Sequence, residues 1–243
     1  MIVEGTNCAT ELLKAGYPVE KVIINKDLTK KHENIMDLAK TRKVNVEVVD
    51  RSTLEKITKS KNSQGVVCFV KPYQYCDVKD ILQYAEDNGR APFIVILDGV
   101  VDPHNVGAII RTAECVGVDG IIIGQNRACD INETVFKTSA GAIAHMKVAQ
   151  VVNISQTIEK LKKQNVWAYS LEAGNTSMYD TNLTGAVALV VGSEGDGVSR
   201  LVNRTCDGTI SIPLKGKVNS LNASNAGAIA MYEVLRQREL CNK

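Results

Sequence analysis

From residue 93 onward, short and nearly continuous apolar runs alternate with segments of helical periodicity, and three polar clusters stand among them. The first is Asn105-Val106-Gly107-Ala108-Ile109-Ile110-Arg111. The second is Gly192-Ser193-Glu194-Gly195-Asp196-Gly197-Val198. The third is Ile212-Pro213-Leu214 followed by Asn219-Ser220-Leu221-Asn222-Ala223-Ser224. An apolar run without alternation marks a strand covered on both faces. Strands that alternate with helices imply a mostly parallel sheet. Polar loops at the ends of such strands are where an open α/β sheet builds its ligand site.

The runs predict strands at 93–97, 120–123, 148–152, 166–171 and 187–191, and helices at 105–116, 155–163 and 222–240. Gly117 closes the first of these helices. The preceding part reads as a smaller α/β unit. A helix over 4–15 stops at Gly16. Strands are expected at 22–24, 44–49 and 65–70, and a helix over 31–42 carries Ile35, Leu38 and Ala39 at helical spacing. A further helix over 52–59 starts at Ser52, with Glu55 completing a capping box. The expected organisation is therefore a first domain at 1–71, a connection at 72–91 with a short helix near 78–86, and a second domain at 92–243.

Composition narrows the classes. In 243 residues, 44% are hydrophobic and 23% charged, as in globular proteins. No apolar run reaches the ~18 residues of a membrane span, and the N-terminus lacks the basic start and apolar core of a signal peptide. The seven cysteines are scattered, odd in number and never in a C-x-x-C pair. That argues against zinc and disulfides and fits a reducing, cytoplasmic setting. The three histidines show no metal-ligand spacing, so no metal is expected. Residues 1–71 hold 13 Lys/Arg against 9 Asp/Glu, and the remainder 16 against 18. A modestly basic first domain suits a phosphate backbone, although such an excess is also ordinary on a solvated surface.

Each cluster has a plain structural reading. Asn105 suits a helix N-cap, Arg111 can pair with Glu114 one turn on, and Ser220, Asn222 and Ser224 suit caps and turns. A dinucleotide-binding loop is excluded because G-x-G-x-x-G is missing after the 93–97 run, and no G-x-x-x-x-G-K-[ST] occurs. An arginine on a helix as apolar as 105–116 needs a partner, and a substrate phosphate is a natural one.

Together the clusters resemble the three motifs of the SpoU (TrmH-type) RNA ribose 2′-O-methyltransferases. The family pattern N-x-G-x-x-x-R is similar to Asn105, Gly107 and Arg111. G-S-E-G-x-G is matched by Gly192, Ser193, Glu194, Gly195 and Gly197. The third motif is matched by Ile212, Pro213, Gly216, Ser220, Leu221, Asn222, Ser224 and Ala226, with Ala223 where valine is common. Glu4-Gly5-x-Asn7 and Ser63-Gln64-Gly65-Val66 resemble the accessory RNA-binding domain of the bacterial 23S rRNA guanosine 2′-O-methyltransferases, with Ser63 where many relatives have histidine.

The resemblance implies a SPOUT-type parallel sheet with a C-terminal deep trefoil knot, preceded by a small α/β domain similar to ribosomal proteins that grip RNA. It implies S-adenosylmethionine as cofactor, held at Gly192, Ile212 and Leu221. The implied reaction is methyl transfer to a ribose 2′-hydroxyl of 23S rRNA, with Arg111, Asn105, Glu194, Ser220 and Asn222 as its catalytic set. It also implies a homodimer, which the small residues of 223–230 would allow. The family proposal makes the arginine a base, but a guanidinium has a pKa above ~12, so anchoring a target phosphate stands beside it. The alternatives are a tRNA guanosine or a resistance-conferring rRNA adenosine as target, or an RNA-binding ribosome-assembly protein without catalysis.

Overall fold

The computed structural model describes residues 1–58, 63–174 and 176–241. It forms two compact units. One is Met1–Gln74 with Ile131–His145; the other is Tyr75–Asp130 with Met146–Lys243.

The first unit runs β1 (Ile2–Glu4), α1 (Thr6–Ala15), β2 (Val19–Asn25), α2 (Glu33–Thr41), β3 (Asn45–Val49), α3 (Arg51–Ile57) and β4 (Val66–Val70). Its sheet has the order β1-β4-β2-β3, with β2 and β3 parallel and the other pairs antiparallel. Gly16 ends α1 as expected. It takes the left-handed conformation at φ 69°, where its N–H reaches back to Leu12 and Leu13. Two differences are local. Glu4, expected to open the helix, instead ends a strand over residues 2–4 that pairs with β4, because the edge of β4 offers it backbone partners. The capping box at Ser52 is not formed: α3 begins at Arg51 after Asp50, and Glu55 pairs with Arg51 at 2.7 Å. Lys59, the expected end of that helix, lies outside the described residues.

The second unit runs α4 (Val78–Asp87), β5 (Phe93–Asp98), α5 (Pro103–Cys115) and β6 (Gly120–Gly124). Here the chain leaves for the first unit, where it forms α6 (Glu133–Thr138). It resumes with β7 (Val148–Val151), α7 (Ile154–Lys162), β8 (Trp167–Leu171), β9 (Val187–Gly192), α8 (Arg200–Thr205), β10 (Gly208–Ile210) and α9 (Ala223–Cys241). These units divide the chain differently from the expected boundaries at 71 and 91. Helix α4, placed in the connection, buries Ile81 and Ala85 completely. A side chain at Gly120 would overlap Ile81, so α4 lies directly on β6. Residues 131–145, assigned to the second domain, pack instead with the first unit. There Glu133 accepts from the Ile2 N–H at 3.0 Å and Lys137 pairs with Glu4 at 3.3 Å.

The second sheet has the order β10-β8-β9-β5-β6-β7, with every pair parallel. Its central strands β5 and β9 are buried along nearly their full length, which accounts for their unbroken apolar runs. From β5 the chain proceeds to β6 on one side. From β9 it proceeds past β8 to β10 on the other. The carboxyl ends of β5 and β9 therefore flank the crevice where the winding direction reverses, the usual ligand position in open α/β sheets.

Candidate active site

β5 ends at Asp98, paired in register with Gly192 at the end of β9. The turn after β5 leads to Asp102, whose carboxylate accepts from the His104 N–H at 3.0 Å, and Pro103 occupies the first helical turn. Asp102 is thus the cap of α5. Asn105, which could have capped this helix, lies inside its first turn, only 6% exposed, with its side chain free for another use.

That use is a triangle of polar side chains from three loops. Asn105 Nδ2 donates to Glu194 Oε1 at 2.9 Å, and Asn222 Nδ2 donates to Asn105 Oδ1 at 2.9 Å. Asn222 Nδ2 also donates to Glu194 Oε1. An ionised carboxylate only accepts hydrogen bonds, so both amides must turn their nitrogens toward it. The far side of Asn222 works differently: its Oδ1 accepts from the Ser224 and Asn225 N–H groups at 2.9 and 3.3 Å, at the start of α9. One end of the Asn222 amide thus caps α9 and the other meets Asn105 and Glu194.

The glycine loop after β9 folds on itself. The Ser193 N–H donates to the Gly197 carbonyl and the Gly197 N–H to the Ser193 carbonyl, each at 3.1 Å. A Cβ at Gly192 would overlap the Gly197 carbonyl carbon and the Val198 nitrogen, so only glycine fits there. Asp98 accepts from the Ser199 N–H at 2.7 Å, and Glu172, directly after β8, accepts from the Val198 N–H. Three strand ends are thereby tied to one loop.

Beside the loop lies a cavity of about 270 Å³. Gly192, Ile212 and Leu221 line it, together with Leu214, Ser220 and Glu194. Asn105 meets this site through its bond to Glu194. Arg111 is exposed on α5, about 9 Å further along the helix axis than Asn105 at 1.5 Å per residue. It does not line the cavity, and it forms no ion pair with Glu114. Among the described residues no His/Cys/Asp/Glu cluster could hold a metal ion, and no helix is long and apolar enough to cross a membrane. Glu172 and Asp98 were missed in the sequence because neither belongs to a motif. The available signal was their place at the carboxyl ends of β8 and β5.

Residues 92–232 match the SpoU rRNA methylase family, and residues 2–76 match the RNA 2′-O ribose methyltransferase substrate-binding family. A Staphylococcus aureus protein named as a TrmH family tRNA/rRNA methyltransferase is 40% identical over 240 residues, covering 98% of this chain and 96% of its own. The SpoU methyltransferase AviRb from Streptomyces viridochromogenes, solved in complex with AdoMet, superposes with TM-score 0.82 at 24% identity, over 99% of this chain and 91% of that one. The A. aeolicus TrmH/SpoU tRNA modifying enzyme superposes with TM-score 0.57 at 29% identity, over 68% of this chain and 85% of that one. The motif loops, the glycine-dependent cavity and these matches agree: the chain belongs to the SpoU rRNA methylase family of RNA methyltransferases.

Proposed function

We propose that this protein transfers a methyl group from S-adenosylmethionine to a ribose 2′-hydroxyl of RNA, with a guanosine of 23S rRNA as the target. The observation that carries this reading is the Asn105–Glu194–Asn222 triangle beside a cavity whose wall admits only glycine at position 192. The cavity fits the cofactor chemically. Ile212, Leu214 and Leu221 offer an aliphatic wall to an adenine, and the glycine loop brings backbone to the cavity wall. Gly192, Ile212 and Leu221 would hold the cofactor, which supplies an electrophilic methyl group when bound.

A ribose hydroxyl is a weak nucleophile, so the chain's work is to place it in line and to accept or pass on its proton. Glu194, fixed by two amide donors, orients the groups around it. Ser220, at the cavity wall, is within the same loop as Asn222 and assists that placement. Arg111 anchors the target phosphate: its exposure and its lack of a hydrogen-bond partner among the described residues leave all its donors available, and a guanidinium binds phosphate bidentately. The base role of the family proposal would require an arginine to lose a proton that it holds tightly.

The substrate-binding match at 2–76 supports an RNA substrate, with the first unit gripping the RNA and the second performing the transfer. A deep trefoil knot, a homodimer and a cytoplasmic location belong to the same reading. The return of the chain from edge strand β10 to α9, which packs on central strand β9 and on α5, is the kind of path a knot requires.

The test is tritiated methyl transfer from S-adenosylmethionine to rRNA and tRNA that lack their native 2′-O-methyl marks. Label at one 23S rRNA guanosine, lost with Arg111→Ala, is the expected result. Label confined to tRNA would keep the chemistry and replace the substrate. No cofactor binding would leave an RNA-binding assembly protein. Gel filtration is expected to give twice the chain mass of 26.4 kDa.

A further inference from the structure

Glu172 lies outside all three motifs, yet it reaches the cavity from the end of β8. Its backbone is held by the Ile210 carbonyl at 3.1 Å, and its Oε1 accepts from the Val198 N–H. Gly197 sits against the carboxylate at φ 65°, with no room for a side chain between them. The carboxylate is therefore clamped under the glycine loop and cannot swing into solvent without releasing that loop.

Its electrostatic setting is one-sided. Three carboxylates line the cavity, from Glu172, Glu194 and Asp196, and no Lys, Arg or His is among the described lining residues. None of the three forms an ion pair among the described residues. An uncompensated group of anionic side chains around a small cavity raises the local concentration of cations, and so favours a positively charged ligand over a neutral one of the same shape.

Resting on the cofactor reading above, we infer that Glu172 is a specificity-determining residue that makes this cavity prefer the positively charged sulfonium cofactor over the neutral thioether it becomes. S-adenosylmethionine and S-adenosylhomocysteine differ by one methyl group and one unit of positive charge at sulfur. Apolar contacts and backbone hydrogen bonds treat the two almost alike. A fixed carboxylate does not, because its attraction vanishes with the charge. The preference has a consequence for turnover: the product is held less firmly than the reactant, so spent cofactor leaves and fresh cofactor enters.

The test is calorimetric binding of three probes to the full chain without RNA: S-adenosylmethionine, S-adenosylhomocysteine and sinefungin, which carries an ammonium group near the sulfonium position. For the wild-type protein, S-adenosylmethionine and sinefungin are expected to bind more tightly than S-adenosylhomocysteine, by on the order of tenfold. Glu172→Gln keeps an oxygen acceptor for the Val198 N–H and removes the charge. It is expected to bring the three affinities to within about threefold of one another while the affinity for S-adenosylhomocysteine barely changes. A residue that only pinned the loop would shift all three probes together, so a uniform loss overturns the inference. So does a wild-type protein that binds the neutral and charged probes equally, a comparison that needs no variant. Wild-type protein that binds none of the three would overturn the cofactor reading itself, an outcome distinct from binding without selectivity.

Discussion

Replacing Gly192 by alanine adds a single methyl group at the most crowded backbone position of the site. The new Cβ would overlap the Gly197 carbonyl carbon and the Val198 nitrogen, which belong to backbone and cannot rotate away. The Ser193–Gly197 loop must lift off β9. This breaks the two reciprocal hydrogen bonds at 3.1 Å, each worth about 1 kcal/mol net. Residual overpacking adds about 1 kcal/mol or more. The sum is roughly 3 kcal/mol, or a fall in Tm of about 6–12 °C for a unit of this size. Because the displaced loop is a wall of the cavity, S-adenosylmethionine affinity is expected to fall at least about tenfold, the equivalent of losing one to two hydrogen bonds. The internal control is Gly195→Ala in the same motif. Nothing lies within 4 Å of a Cβ there and its φ is not positive, so its stability is expected within about 0.5 kcal/mol of wild type. Differential scanning fluorimetry and calorimetric titration read both variants. Equal Tm values for the two, or a Gly192→Ala protein melting within 2 °C of wild type, would refute the steric reasoning.

Three further outcomes are expected. In a double-mutant cycle on methyl transfer, Asn105→Ala and Asn222→Ala share the Glu194 acceptor, so the double variant should lose less than the product of the single losses, by about 1 kcal/mol of coupling; strict additivity would mean the triangle does not act as a unit. On α9, hydrogen bonds from Arg236 hold the Glu233 carboxyl below the usual carboxylate range. A depressed folded value stabilises above the unfolded pKa, about 4.3, and that contribution disappears as pH falls through the folded value. Glu233→Gln should therefore lower Tm by about 2–4 °C at pH 7 and by much less near pH 3; an equal deficit at both pH values would assign the effect to packing. Burial pushes the Cys68 and Cys206 thiols up to about 12 and raises Cys8 as well, whereas Cys115 and Cys241 are exposed. Brief iodoacetamide treatment at pH 8, read by mass spectrometry, should label Cys115 and Cys241 first; early labelling of Cys68 would contradict its burial.

The parallel sheet was readable from one-dimensional information because its central strands are buried on both faces. Such strands must be apolar at every position, and residues 93–97 and 187–191 are. Gly16 could be read as a helix stop because few other residues adopt its left-handed conformation cheaply. The motif loops were legible for a related reason: Gly192 permits no Cβ, and Asn105, Glu194 and Asn222 are each the kind of side chain that can close a hydrogen-bonded triangle.

What stayed hidden was whatever depends on which distant surfaces meet. Asn105 and a helix cap look identical until Asp102 is seen to take the capping role. Glu4 reads as the start of a helix until β4 presents its edge. Helix α4 reads as a connection until Ile81 is found against Gly120, and nothing within residues 131–145 says that they pack with the first unit. Glu172 is the clearest case. A single glutamate after a strand carries no periodicity, no spacing and no motif; its meaning comes entirely from the Val198 N–H and the Gly197 backbone that tertiary folding brings to it. Local patterns record what each residue needs from its own neighbours in the chain. Partners far apart in sequence are chosen only when the sheet assembles.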